Sequence, residues 1–425
     1  MKSQPQRALA RWARSPSEKL LNVALAALVG VALIWLGYQF WRLLFQPSPA
    51  GAVDLLLRHG ECQEWFRGVP IYDTRVDAVY PPASYLMLWP LLGWLSPGAM
   101  RIFWVLPTVL SIAWLCCLVV RYGGVADARY RRLLWVLPLA TYPVGATVGN
   151  GQLSILVVTT LFAGTAMLAR SARSWGRDLW SAGLILLALI KPSVAAYFFW
   201  IPLFVPGGLR VACLVIAGYV LLTVGAALAQ DQGVYELMEA WLRRAASGIE
   251  WGSSQGGGAI TKGSLRITGI NLQSVLSVLG ERGLIGVLAP VPIVLLGAWV
   301  LWRRAADMGR LLGVTAIVAR FASYHGWYDD VLLLLPLVAL IRESHAGACP
   351  RERAFATWLA LAGTLFLLAP GGIYSLPQGL ANLYAIAQAG CWITVLVFLV
   401  RTTRSPNHPA RAVASASRAA YDQSR

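Results

Sequence analysis

Apolar residues in this chain come in long, nearly unbroken runs separated by short polar, basic stretches. A helix needs about 20 apolar residues to cross the hydrocarbon core of a bilayer. The first run, Leu20–Phe45, meets that length and is interrupted by few polar residues, Asn22 and, near its far end, Arg42 among them. It is too long for a signal-peptide core and no small-residue cleavage site follows it, so it is expected to be retained as a span. Further spans are predicted at 99–120, 133–149, 152–169, 180–191, 193–206, 211–230, 283–302, 311–324, 328–341, 354–370 and 379–400. That makes about 12 transmembrane helices, with 180–206 folded as a short helical hairpin around Lys191-Pro192. The apolar stretch 83–95 is short and contains Pro90, and it is expected to lie at the interface without crossing. The fold class is therefore all-α and integral to the membrane.

Charge placement fixes the expected orientation. With the N-terminus inside, the inner segments are 1–19, 121–132, 170–179, 207–210, 303–310, 342–353 and 401–425. They hold 24 Lys and Arg against 7 Asp and Glu, whereas the rest of the chain holds 12 of each. The whole net charge of +17 thus falls on one face, which is the positive-inside pattern. Letting 83–95 cross would put the basic loops outside. The basic balance therefore needs no nucleic-acid partner. Hydrophobic residues make up 57% of the chain and charged ones 13%, against about 45–50% and about 25% in soluble domains. That excludes a soluble enzyme and a disordered chain.

The expected organisation is a basic cytoplasmic tail, 1–19, a membrane domain, 20–400, and a second basic tail, 401–425. The two tails are expected to be disordered and drawn to anionic lipid. Two large exterior loops remain, at about 46–98 and 231–282. The first is acidic and aromatic, with Asp54, Glu61, Glu64, Trp65, Phe66, Tyr72, Asp73, Asp77 and Tyr80. The second opens on an amphipathic stretch, Tyr235–Arg244, and continues into Gly252–Gly258, which reads as a mobile segment. Of the six cysteines only Cys62 falls in a large exterior loop, so no disulfide framework is implied.

Candidate chemistry gathers at the exterior ends of the spans. Asp54 lies just beyond the first span in a weakly helical run, Val53–Trp65. A carboxylate there can take a proton from a hydroxyl, or it can cap a helix. Tyr80-Pro81-Pro82 fixes an extended corner before the interfacial helix. Asn150-Gly151-Gln152 forms an exterior turn, where Gln152 either caps a span or bonds a sugar hydroxyl. Lys191 sits in an apolar sequence, where a cation marks function by default and needs an anion; a distant Asp or a phosphate would serve. The densest group is Arg320, Ser323, Tyr324, His325, Trp327, Tyr328, Asp329 and Asp330. Asp329 or Asp330 can pair with Arg320 or Lys191, cations can neutralise a phosphate, and His325 can donate to one. No nucleotide-binding or zinc-protease motif occurs, and no inner segment is long enough to dock a sugar nucleotide.

Taken in order, these elements resemble the polytopic GT-C glycosyltransferases, and among them the polyprenol-phosphate-mannose-dependent alpha-1,2-mannosyltransferases, glycosyltransferase family 87. The likeness rests on Asp54 after the first span, Gly68 to Tyr72, Tyr80-Pro81-Pro82, and Gly151-Gln152. It continues with Ala182-Gly183-Leu184 running into Lys191-Pro192, and with Ser323 to Asp329, together covering about residues 20–340. Two stretches depart from the family pattern: Leu55 to Leu57 and Arg58-His59 replace its aromatics, and the late turn reads Ser-Tyr-His-Gly-Trp-Tyr-Asp-Asp.

The resemblance implies a GT-C fold with an extracytoplasmic active site in a bacterial cell membrane. It implies a polyprenyl-phosphate sugar donor, mannose first among the sugars, and a glycolipid or polysaccharide acceptor. Asp54 would be the general base. Lys191, Arg320, His325, Gln152, Tyr80, Tyr328 and Asp329 would bind the donor's phosphate and sugar. No cofactor and no metal would be needed. A flippase of a lipid-linked sugar, or the same enzyme with a pentose or another hexose, stays open at this point.

Overall fold

The computed structural model describes residues 16–169, 174–255, 290–304, 306–322, 326–347, 349–368 and 376–402. His325 with Ser323 and Tyr324, most of the second exterior loop and nearly all of both tails lie outside them. Every described element is helical. The first helix, Pro16–Phe45, runs along the outside of the bundle, and only 6% of its most apolar stretch is buried in protein. Leu33 is 70% exposed and Ile34 78%. Large apolar side chains on other helices are equally bare, Leu221, Leu228 and Trp358 among them. A contiguous apolar exterior of this kind belongs in lipid, and the chain is an integral membrane protein.

Among the described residues, four helices are long and apolar enough to cross a membrane, or six if each bent pair is one span. Leu21–Phe45, Pro97–Gly123, Leu209–Gln230 and Gly379–Arg401 can each span a bilayer alone. Two bent pairs raise the number to six: Tyr142–Asn150 with Ser154–Leu168, bent by 119°, and Trp175–Ala188 with Pro192–Phe204, bent by 118°. The expected span 133–149 is divided between Ala128–Ala140 and Tyr142–Asn150. Thr141 between them is extended, at φ −73° and ψ 142°, and Pro143 keeps the next turn from continuing the first helix. The expected span 328–341 begins as a 3₁₀ turn, Trp327–Leu333, and becomes an α-helix only at Leu334–Ala346. Expected span 283–302 is helical over Pro290–Trp302, its first residues lying outside those described. So the twelve expected segments do not translate into twelve uninterrupted helices.

Each bend has a local cause. Gly151 is left-handed, at φ +66°, which costs glycine little. Lys191 precedes Pro192 and is pushed out of the helical region, to φ −124° and ψ 80°. Both bends bring polar side chains to the same end of the bundle. The opposite end is held by ion pairs between segments assigned inside by charge: Arg210 with Asp178 at 3.2 Å, Arg310 with Glu343 at 2.8 Å and Arg342 with Asp307 at 2.8 Å. Helix Met308–Ala322 and its partner Leu334–Ala346 run between the two ends, with Arg310 paired at one and Arg320 at the other.

The loop expected to be the first exterior one folds onto the bundle. Val53–Trp65 is a helix, followed by the short helix Ile71–Thr74 and by Pro82–Leu88, which tightens into a π-turn at Trp89–Gly93. Trp65 stacks on Tyr85 at 4.7 Å and meets Tyr72 edge-on. Helix Val234–Gln255 packs over this loop. Trp241 Nε1 donates to the Val79 carbonyl at 3.1 Å, and Arg244 Nε to that of Tyr72 at 2.7 Å. The stretch Gly252–Gly258, expected to be mobile, is helical through Gln255, and its remaining residues are outside those described.

A Cβ on residue 151 would lie 2.5 Å from Leu55 Cβ, and the backbone there is left-handed. Gly151→Ala is expected to cost more than about 1 kcal/mol, read as a lower melting temperature in detergent. Gly183→Ala, where a Cβ meets nothing within 4 Å, should leave melting unchanged or slightly raised.

Candidate active site

The loop helix Val53–Trp65 is seated by the first span. Arg42 Nε and Nη2 donate to the Ala50 carbonyl at 2.9 and 2.6 Å, and Nη1 to Gln39 Oε1 at 2.9 Å. Ala52 N donates to the Gly149 carbonyl at 2.9 Å. Ala52 itself is left-handed, at φ +51°, a conformation that costs a non-glycine residue free energy and tends to persist at functional sites. This anchoring sets Asp54, in the first turn of the helix, against the turn at residues 150–152.

Asp54 is half-buried. Burial pushes its carboxyl above the ordinary carboxylate range, and a hydrogen bond from Gln152 together with the charges of Lys191 and Arg58 opposes the rise. Only the Gln152 amide nitrogen can donate to a carboxylate. Its oxygen, Oε1, accepts from Lys191 Nζ at 3.5 Å. Gln152 therefore bridges the base candidate to the buried lysine.

Lys191 is itself committed. Nζ lies 2.6 Å from Asp329 Oδ1 and 3.1 Å from Ser154 Oγ. Ser154 Oγ in turn donates to Asp329. Both Lys191 and Asp329 are buried, at 6% and 2% exposure. An ammonium has three hydrogens, and Gln152, Ser154 and Asp329 account for all three. The Tyr328 ring lies 5.1 Å from Nζ, and the Tyr328 carbonyl accepts from Thr147 Oγ1 at 3.1 Å. Three departures from regular helix thus supply the cluster: the turn at 150–154, the break at Lys191, and the 3₁₀ turn carrying Tyr328 and Asp329.

Tyr80 completes the group on the loop side. Its electrostatic neighbours are Lys191, Arg58, Asp329 and Asp54, its ring lies under the Arg58 guanidinium at 4.4 Å, and its carbonyl accepts from Tyr72 Oη at 2.7 Å. Asp54, Tyr80, Gln152, Lys191, Tyr328 and Asp329 are thus brought together.

Arg320 makes one of the pairings that the sequence allowed, with Asp330. It is 0% exposed, pairs with Asp330, and its Nη1 and Nη2 meet no acceptor. Gln388 Nε2, from the last span, approaches Asp330 at 3.5 Å. Arg320 is thus an enclosed cation beside the cluster. Lys191 has its hydrogens directed at protein oxygens. Among the described residues no group of His, Cys, Asp and Glu is arranged to hold a metal ion.

Sequence reasoning did not single out Ser154, Arg42 or Gln388. Arg42 was visible as a cation interrupting the first span, and Ser154 and Gln388 as polar residues within apolar runs. Removing one partner of a buried ion pair costs about 3–5 kcal/mol, whereas replacing both with apolar residues is often neutral. Lys191→Met and Asp329→Leu are each expected to lower the melting temperature in detergent. The double variant should recover most of that loss and remain inactive, because Gln152 then lacks its partner. Additive destabilisation in the double variant would contradict the pairing.

The model of glycosyltransferase family 87 matches residues 78–324. Asp54 precedes the matched stretch, and Tyr328 and Asp329 follow it. No curated protein and no solved structure matches the chain. With more than half of its length matched by one family model and an apolar exterior suited to lipid, the chain belongs to glycosyltransferase family 87 and is a membrane glycosyltransferase.

Proposed function

We propose that this enzyme transfers a sugar, mannose first, from a polyprenyl-phosphate donor to a hydroxyl of a glycolipid or polysaccharide on the outer side of a bacterial cell membrane. The observation that carries this reading is the placement of Asp54. A carboxylate on a loop helix, outside the spans, is hydrogen-bonded through Gln152 to a lysine buried at a break in a membrane helix. That junction of water and lipid is where a donor with a polyprenyl tail and a sugar headgroup must be presented. The ion pairs at the other end join the basic segments, which supports cytoplasmic termini and an extracytoplasmic site.

The reaction is a direct displacement at the anomeric carbon. The acceptor oxygen attacks as Asp54 takes its proton. The bond from the anomeric carbon to the phosphate oxygen breaks, and its electron pair leaves with polyprenyl phosphate. Configuration inverts, so a beta-linked donor gives an alpha-linked product. Gln152 and Lys191 act on Asp54: Gln152 aims the carboxylate, and the nearby ammonium favours its ionised form. Tyr80, held by Tyr72 and lying beside the same charges, is positioned to meet the sugar. His325 remains the expected donor to the phosphate. The preorganised charges matter because Lys191 and Asp329 are enclosed, where such interactions are strongest.

Asp54→Asn should fold and insert normally and lose about 10²–10⁴-fold in kcat, assayed with radiolabelled polyprenyl-phosphate mannose in purified membranes. Wild-type kcat should fall as pH is lowered, because Asp54 must be ionised to act and burial raises its pKa. Normal turnover by Asp54→Asn would overturn the base assignment. Transfer from a sugar nucleotide would overturn the donor. Pentosyl and other hexosyl phosphates tested in parallel identify the sugar, and movement of the lipid without a new glycosidic bond would indicate a flippase.

A further inference from the structure

One turn beyond Asp54 the same helix carries a buried ion pair with no part in the proton transfer. Arg58 Nη1 lies 2.5 Å from Glu61 Oε2, and Nη2 lies 3.4 Å from the Asp77 carbonyl. Glu61 is 0% exposed. The Tyr85 hydroxyl donates to its Oε2 at 3.2 Å, and its other oxygen, Oε1, has no hydrogen-bond partner. An ionised carboxylate with one buried oxygen unsatisfied is costly. As a carboxylic acid, the group carries no net charge to desolvate.

The surroundings favour that neutral form near physiological pH. Burial pushes the Glu61 carboxyl up to about 7, with Arg58 opposing it. The groups facing it are Arg58 and Cys62 on its own helix, Arg75 and Asp77 from the following loop, Tyr72 from Ile71–Thr74, and Tyr85 from Pro82–Leu88. Arg75 is engaged by Asp77 and Glu64. Tyr72, Tyr85 and Cys62 are pushed above their ordinary values and stay neutral.

The charges around Asp54 then pose a requirement. Arg58 and Lys191 are positive there; Asp54 and Asp329 are negative, and Glu61 joins them above about pH 7. A polyprenyl-phosphate sugar is a phosphodiester and adds one more negative charge. All three nearby cations, Lys191, Arg320 and Arg58, are enclosed and paired, Arg58 at 8% exposure; Arg58 differs in lying on the base's own helix and in having a partner, Glu61, with one oxygen left without a hydrogen bond. Its guanidinium also rests on Tyr80, the residue placed to meet the sugar.

We propose that Arg58 receives the donor's phosphate, and that Glu61 takes up one proton from solvent as the phosphate replaces it on Arg58. This rests on the polyprenyl-phosphate reading and adds to it a residue and a proton. Above about pH 7 the charge balances: one anionic ester enters, one proton enters with it, and the cluster keeps its net charge. The consequence is that donor affinity and the chemical step respond to pH in opposite directions. Donor binding is favoured below about pH 7, where Glu61 is protonated, while Asp54 acts only when ionised.

The test is the donor KM between about pH 5.5 and 8.5 for the wild type and Glu61→Gln, with kcat followed separately. Wild-type KM should be level at low pH and rise about tenfold per unit above about pH 7. In Glu61→Gln that rise should vanish. A second measurement needs no variant. Calorimetric binding of polyprenyl-phosphate mannose to wild type without acceptor, in two buffers of different ionisation enthalpy, should show uptake of about one proton at about pH 8 and none at about pH 6. The diester itself does not titrate there. A level KM in an active wild type, a Glu61→Gln variant that keeps the wild-type slope, or no proton uptake at either pH would each overturn the proposal. A wild type inactive with every lipid-phosphate sugar would instead overturn the donor assignment, and this inference with it.

Discussion

A lysine and an aspartate enclosed together among apolar helices, Lys191 and Asp329, hold the site end of this protein in shape. Neither charge is tolerable there alone. Their 2.6 Å contact ties the break after Trp175–Ala188 to the 3₁₀ turn Trp327–Leu333, elements 138 residues apart in sequence. Ser154, which bonds both partners, adds the turn at 150–154. Gln152 then passes the constraint to Asp54. The loop carboxylate is therefore oriented by a charge pair inside the membrane domain. Such a pair contributes little net stability over an apolar replacement. Its value lies in fixing one arrangement of three chain segments.

The site is made of interruptions. Regular helix satisfies its own backbone and presents mostly apolar side chains to lipid. Polar groups gather where the helix stops: at the left-handed Gly151, at the residue before Pro192, and in the 3₁₀ turn. The first loop adds a second layer. There Trp65, Tyr72 and Tyr85 pack as a small aromatic core, and Arg58 and Glu61 lie between that core and Tyr80. Helix Val234–Gln255 covers the same loop through Trp241 and Arg244.

Much of this was legible in the chain itself. Long apolar runs dictate membrane helices, and the confinement of the basic excess to alternate loops indicates which ends belong together. The ion pairs of Arg210, Arg310 and Arg342 fall on those loops. An isolated lysine in an apolar run demanded an anion, and Asp329 was one of the candidates. Which acid joined which cation was not legible, because Asp329 and Asp330 are adjacent and only the 3₁₀ geometry sends one to Lys191 and the other to Arg320. The interruptions within several expected spans were not legible either. Hydropathy cannot see the break at Thr141 or tell a 3₁₀ turn from an α-helix. Ser154 was hidden because its partners are distant in sequence, and Arg42 because its acceptors are mainly backbone carbonyls.

The most direct test of the central claim is the structure of the Asp54→Asn protein with polyprenyl-phosphate mannose bound, determined by electron cryomicroscopy in lipid. The account predicts the sugar beside residue 54 and Tyr80, the phosphate away from Lys191, and the Lys191–Asp329 pair intact with Gln152 still on Lys191. A phosphate seated on Lys191 with Asp329 displaced, or a sugar remote from residue 54, would contradict it.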